Sequence, residues 1–296
     1  MTNATGEVTI GVLGGSGLYA MDELTDVEER RISTPFGEPS DALTIGTLHG
    51  RRIAFLPRHG RGHRLLPSEI PVRANIYALK SIGVQWLLAA SAVGSMKEEI
   101  APQHMVIPDQ VIDRTMGRVP TFFGGGLVAH VSLAQPFSPL LAGLLADAAE
   151  RTGATVHRGG SYVCIEGPQF SSKAESLLYR SWGVSVIGMT GMPEARLARE
   201  AEMHYAMIAQ STDYDCWREG EENVSADMVV ANVTKNIATV RRTLQELVPA
   251  IPAEAPDDDI TNALAHSIQT AHDAINPEAV QRLGVIFSKY AARVGQ

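Results

Sequence analysis

Short apolar runs of strand length alternate with helix-spaced segments along nearly the whole chain, and the runs end in glycine-rich or polar turns. This alternation constrains the fold most, because strands separated by helical crossovers build a parallel or mixed sheet with helices on its faces. Strands are predicted over residues 8–13, 52–57, 84–90, 161–165, 184–189 and 205–211. They lead into GGSGLY, PRHGRGH, SAVGS, EGPQF, GMTG and STDYDCW respectively. Helical spacing covers 70–82, 139–152, 172–182, 194–202 and 224–247. Residues 104–111 are apolar with Pro108 inside, which predicts an edge or bent strand. RVPTFFGGGLVAH is too rich in glycine for an element interior and reads as a loop. The predicted fold is α/β, a single-domain mixed sheet flanked by helices, spanning 1–251. PAEAPDDD then opens a linker and helical C-terminal extension over 252–296. In such sheets, functional residues gather where loops leave the carboxyl ends of the strands.

Composition narrows the function classes. At 296 residues, with 45% hydrophobic and 20% charged, the chain can bury a large core without staples. Its 33 acidic residues outnumber the 25 basic ones, giving a net charge of −8. A binder of nucleic acid or of an anionic membrane needs the opposite balance. No apolar run approaches the ~18 residues of a membrane span, and the N-terminal residues lack a basic segment leading into an apolar one. A cytoplasmic location is therefore expected. Cys164 and Cys216 are too few for a disulfide framework or a four-cysteine zinc site. His59 and His63 have no carboxylate or thiolate beside them to complete a ligand set, so no metal is expected.

The turns share one chemistry. GGSGLY exposes backbone amides beside the Ser16 hydroxyl, which suits a phosphate-sized anion. A dinucleotide fingerprint would also need an acidic residue closing a second strand about 20 positions on, and ERRISTPFGEPS supplies no clean one. PRHGRGH and the Arg64 that follows it pack Arg58, His59, Arg61, His63 and Arg64 into an acidic chain; alone, such a cluster is as readily a solvated basic loop. SAVGS offers Ser91 and the amides near Ala92, and GMTG offers Thr190. No Walker lysine accompanies them, which argues against nucleoside triphosphates. STDYDCW differs. Asp213 and Asp215, two apart at a strand end, point the same way and can accept from an exocyclic amine, one of them carrying a proton. Phe170 and Met189 are candidates for the faces of a flat-ring pocket, or for ordinary core.

GVLGGSGLY, TPFGEPSD, PRHGRGH, SAVGSMKEEI, VIPDQVIDRT, IEGPQFSSKAES, MTGMPEA and STDYDCW, in this order, resemble the trimeric purine nucleoside phosphorylase superfamily over about residues 8–247. Within it they are similar to the branch that acts on 5′-methylthioadenosine. The resemblance implies phosphorolysis, with inorganic phosphate as co-substrate and no cofactor. It implies that Ser16, Arg58, His59, Ser91, Ala92 and Thr190 hold phosphate, that Met189 meets the ribose, and that Phe170 packs on purine and sugar. Asp213 would be the general acid at purine N7, a role that requires a raised pKa, and Asp215 would accept from the 6-amino group. Ser171 replaces the Glu with which relatives bind 6-oxopurines, and Ala226 replaces their His for the 5′-hydroxyl, leaving room for a methylthio group. His130 would reach this pocket from a neighbouring subunit of a homotrimer. Two other readings stay open: a sibling phosphorylase preferring methylthioinosine or 6-oxopurine nucleosides, and a nucleotide-binding oxidoreductase led by GGSGLY.

Overall fold

The computed structural model describes residues 7–15, 17–18, 21–218 and 226–291. In chain order the strands are β1 (Ile10–Gly14), β2 (Thr25–Arg30), β3 (Leu43–Leu48), β4 (Arg51–Pro57), β5 (Trp86–Ser95), β6 (Met105–Ile107), β7 (Gln110–Arg114), β8 (Val156–Arg158), β9 (Ser161–Ile165), β10 (Val186–Gly188) and β11 (His204–Asp213). The helices are α1 (Val72–Ser81), α2 (Pro139–Arg151), α3 (Lys173–Ser181), α4 (Gly191–Glu200), α5 (Ala226–Leu247) and α6 (Pro277–Leu283). As the alternation predicts, the strands form one mixed sheet with helices packed against it.

The long apolar run of β5 is the hub. Along one edge it pairs in parallel with β11, from Trp86 opposite His204 onward. Along the other it pairs with β1 only as far as Ala89 opposite Leu13, then antiparallel with β10 at Gly94 and Ser95. SAVGS, expected as a turn, is therefore the second half of a strand. Its small residues fit a buried strand with β11 alongside, and the turn comes only after Ser95.

Other differences have equally local causes. Pro108 divides the expected strand into β6 and β7, which join different partners because proline offers no N–H to a ladder. The sequence gives no sign of β2, whose every residue is exposed and mostly charged; its ladder partner is β3, and Arg52 and Arg61 add side-chain contacts to it. In β3, Gly46 is needed because a Cβ there would lie 2.6 Å from the Leu24 side chain. Ser172 caps α3 and Glu175 returns the bond, so this helix begins where a capping box begins it.

The tail carries one short helix, α6, and single 3₁₀ turns, where one or two longer helices are predicted. Its apolar residues Leu264, Leu283, Phe287 and Tyr290 share one cluster with Leu13, Leu56, Leu87 and Ala198. Glu202, at the end of α4, accepts from the Leu264 N–H at 3.0 Å and from the Tyr290 hydroxyl. Phe287→Ala should lower the free energy of unfolding by about 3–5 kcal/mol in urea titration. An unchanged midpoint would mean that the tail folds apart from the sheet.

Candidate active site

Between Ala89 and Gly94, no strand among the described residues pairs with β5 on the edge it shares first with β1 and then with β10. Residues 90–93 border that gap, and a cavity of about 420 Å³ opens there. A gap where neighbouring strands diverge is where open α/β sheets bind ligands. The cavity gathers Arg58 and His59 from the turn after β4, Ser91 and Ala92 from β5, and Phe170 and Ser171 from the loop before α3. Met189 and Thr190 follow β10, and Asp213 and Asp215 come from the end of β11. Ser16 lies outside the described residues, although Gly15 lines the cavity. Ala226 opens α5, and its side chain is likewise outside the described residues. His130 is exposed and outside the cavity of its own chain, with its backbone N–H bonded to the Ser267 carbonyl at 2.8 Å.

At the basic end, Arg58 is buried and largely committed. Nε and Nη2 pair with the Glu194 carboxylate, Nη1 donates to the Ala90 carbonyl at 3.0 Å, and Nη2 also reaches the Leu13 carbonyl at 3.4 Å. Of the five N–H groups of a guanidinium, these contacts leave one on Nη1 for a ligand. Burial works against the charge on Arg58, but Glu194 more than offsets it and holds the pKa above its ordinary value. Tyr205 donates to the second Glu194 oxygen at 3.0 Å and fixes the pair from behind.

His59 is neutral. Burial lowers its pKa to about 4, with Arg58 and His63 adding to the effect. Nδ1 lies 2.8 Å from the Leu65 carbonyl; a carbonyl only accepts, so the hydrogen sits on Nδ1 and Nε2 is left as an acceptor. The ring stacks on His63 at 4.2 Å. The Ser91 and Thr190 hydroxyls are 2.9 Å apart, and the Thr190 amide donates to Tyr162 at 3.2 Å. Of the basic letters of PRHGRGH, Arg58 is thus charge-paired with Glu194 and His59 is neutral.

At the acidic end, β11 shifts register between Ser211 and Asp213, which sets Asp213 opposite Gly94. A Cβ on Gly94 would stand 3.0 Å from Asp213 Oδ1 and 3.3 Å from Asp215 Cβ, so only glycine leaves the carboxylates this space. Asp213 Oδ1 accepts from the Asp215 N–H at 2.8 Å, and Oδ2 from the Thr212 hydroxyl at 2.7 Å. Burial pushes the Asp215 carboxyl above its ordinary range, whereas the sequence placed that requirement on Asp213. The Ser171 hydroxyl borders the cavity, buried and without a partner among the described residues. Gly167, at φ +69°, brings the backbone against Met189; a Cβ there would sit 2.5 Å from its sulfur.

The sequence missed Glu194 and Tyr162, and the only signal for Glu194 was its place in MTGMPEA, three residues past the helix N-cap Thr190's neighbour Gly191. Among the described residues no group of three or more His, Cys, Asp or Glu could hold a metal ion, and no helix is long and apolar enough to cross a membrane.

Residues 9–251 match the Phosphorylase superfamily, and the chain belongs to it. An S-methyl-5'-thioadenosine phosphorylase of Gloeobacter violaceus is 52% identical over 290 residues, covering 97% of each chain. The one from Geobacter sulfurreducens is 53% identical over 285 residues, 96% of this chain and 99% of its own. Among solved structures, a methylthioadenosine phosphorylase from an antarctic soil metagenomic library superposes with a TM-score of 0.90 at 48% identity, covering 95% of this chain and 99% of its own. The Schistosoma mansoni methylthioadenosine phosphorylase in complex with adenine gives 0.84 at 37% identity, over 90% of this chain and all of its own.

Two outcomes follow from this geometry. A histidine with a depressed folded pKa contributes stability that is complete above its unfolded value near 6.5 and lost as pH falls toward 4. His59→Gln should therefore lose less melting temperature than the parent between those pH values, and parallel curves would contradict the neutral assignment. Glu194→Gln leaves a buried guanidinium without its countercharge and should cost about 3–5 kcal/mol in denaturant titration.

Proposed function

We infer that this chain catalyses phosphorolysis of S-methyl-5′-thioadenosine, giving adenine and 5-methylthioribose 1-phosphate, as a pentosyltransferase of methionine and purine salvage. The observation that carries this is the shared cleft: hydroxyls, an arginine N–H and a neutral imidazole meet two buried carboxylates across one cavity of nucleoside size. Relatives about half identical over nearly the whole length bear the matching name.

Phosphate takes the end bounded by Arg58, His59, Ser91, Ala92 and Thr190, and the sequence motif assigns Ser16 to it as well. With Nε2 of His59 bare, the phosphate that fits retains a P–OH to donate to it. Adenine takes the other end, with Phe170 at the mouth beside its ring and Met189 beneath the ribose. A phosphate oxygen bonds C1′ as the C1′–N9 bond breaks, and the departing electron pair goes into the purine. Asp213 delivers its proton to N7 and is left as a carboxylate, while Asp215 accepts from the 6-amino group. Ser171 is too short to serve the N1–H of a 6-oxopurine, so that atom would go unpaired and inosine-type substrates are disfavoured. By its sequence position Ala226, small and apolar, is the residue we assign to the 5′ methylthio group. No organic cofactor or metal enters these steps.

The assembly we propose is a homotrimer, with His130 of a neighbouring copy completing the 5′ end. Support comes from the exposed apolar side chains Met116, Val119, Leu177, Leu178 and Trp182, together with Phe170 at the cavity mouth. A cytoplasmic location agrees with the composition.

The test is to incubate the protein with methylthioadenosine, adenosine and methylthioinosine, with and without phosphate, and to identify the released base. Adenine should appear from methylthioadenosine only when phosphate is present; faster release of hypoxanthine from methylthioinosine would favour the 6-oxo sibling. Asp213→Asn should lower kcat by about 10²–10⁴-fold and leave the phosphate KM nearly unchanged. Surviving turnover would remove Asp213 from the acid role.

A further inference from the structure

The loop RVPTFFGGGLVAH contains a buried cation that the chemistry above does not use. The Arg118 side chain is only 5% exposed, and it lies across the carboxyl ends of β9 and β10. These parallel neighbours stay in register as far as Cys164 opposite Gly188. Beyond that pair the two chains separate and their carbonyls lose their ladder partners. Nη1 of Arg118 donates to the Met189 and Met192 carbonyls, both at 2.8 Å. Nη2 donates to the Glu166 carbonyl at 2.7 Å and, at 3.4 Å, to that of Ile165. Nε lies 3.3 Å from the Glu166 carboxylate. All four terminal N–H groups are thus committed to backbone oxygens.

Two of those oxygens belong to residues that line the cavity, Ile165 and Met189, and the other two to their near neighbours Glu166 and Met192. The Ile165–Glu166 pair heads the turn that delivers Pro168, Phe170 and Ser171. The anion-binding groups have contacts of their own, with Thr190 sitting between the Met189 and Met192 carbonyls that Arg118 holds. Arg58 is held by Glu194, His59 by the Leu65 carbonyl, Ser91 by Thr190, and the Thr190 amide by Tyr162.

We propose that Arg118 is a positioning residue for the nucleoside. Its planar fork sets the distance between the Met189 ledge and the turn carrying Phe170 and Ser171, so the sugar and base meet a preformed slot. It touches no substrate atom. Lysine cannot take its place, since a single ammonium offers three N–H groups from one point and no plane to span two turns. This inference rests on the phosphorolysis reading above.

The experiment compares the parent protein with Arg118→Lys and Arg118→Ala, varying methylthioadenosine and phosphate independently and recording melting curves alongside. The lysine variant keeps the positive charge and isolates the geometry. In both variants the nucleoside KM should rise by about 10-fold or more while the phosphate KM stays within about twofold. Added guanidinium ion, below denaturing concentrations, should restore part of the nucleoside affinity to Arg118→Ala and do nothing for the parent. Equal rises in both KM values, a lysine variant that matches the parent, or loss of the folded state in both variants would overturn the positioning role. A parent that releases no adenine in the presence of phosphate would instead overturn the function itself, and this inference with it.

Discussion

Everything about the site depends on a strand that changes neighbours. β5 keeps β11 on one edge for its full length, but on the other it leaves β1 after Ala89 and takes up β10 only at Gly94. Four residues of backbone thereby border open space inside the sheet. A buried edge of that kind needs substitutes for its missing partners. Arg58 supplies one by donating to the Ala90 carbonyl, so a residue that lines the cavity also seals the sheet. Arg118 does the same work on the neighbouring strands, where β9 and β10 part.

The electrostatics of the anion-binding end are quieter than its residue letters suggest. Glu194 cancels the charge of Arg58, and burial keeps His59 neutral. A strongly cationic pocket would hold phosphate and the sugar phosphate product alike, and would slow release. Hydroxyls and single N–H groups aimed from fixed positions orient an anion without gripping it by net charge. The acidic end works by the same economy of space: Gly94 makes room, and the irregularity in β11 turns two carboxylates into it.

Much of this was legible in the letters. Apolar runs ending in polar turns located most of the buried strands and the loops that meet at the cavity, because both the core face and the turn chemistry are written locally. What escaped was whatever depends on a distant partner. β2 carries TDVEER, which has no apolar face to betray it and becomes a strand only beside β3. SAVGS looks like a turn until β11 and β10 are placed beside it. Glu194 and Arg118 are charged residues that ordinary patterning sends to the surface, and only the tertiary structure shows which buried groups they satisfy. His59 is a phosphate candidate in the letters, and only the structure shows that the Leu65 carbonyl, six residues away, takes its Nδ1 hydrogen.

The packing of the tail has a bearing on biosynthesis. Phe287 and Tyr290 fill the same interior as Leu13 and Leu56, and Glu202 waits for the Tyr290 hydroxyl. A nascent chain emerging from the ribosome can assemble the sheet early, yet its interior stays unsealed until residue 290 has left the exit tunnel. During that interval the apolar underside of the sheet is open to chaperones and to other nascent copies.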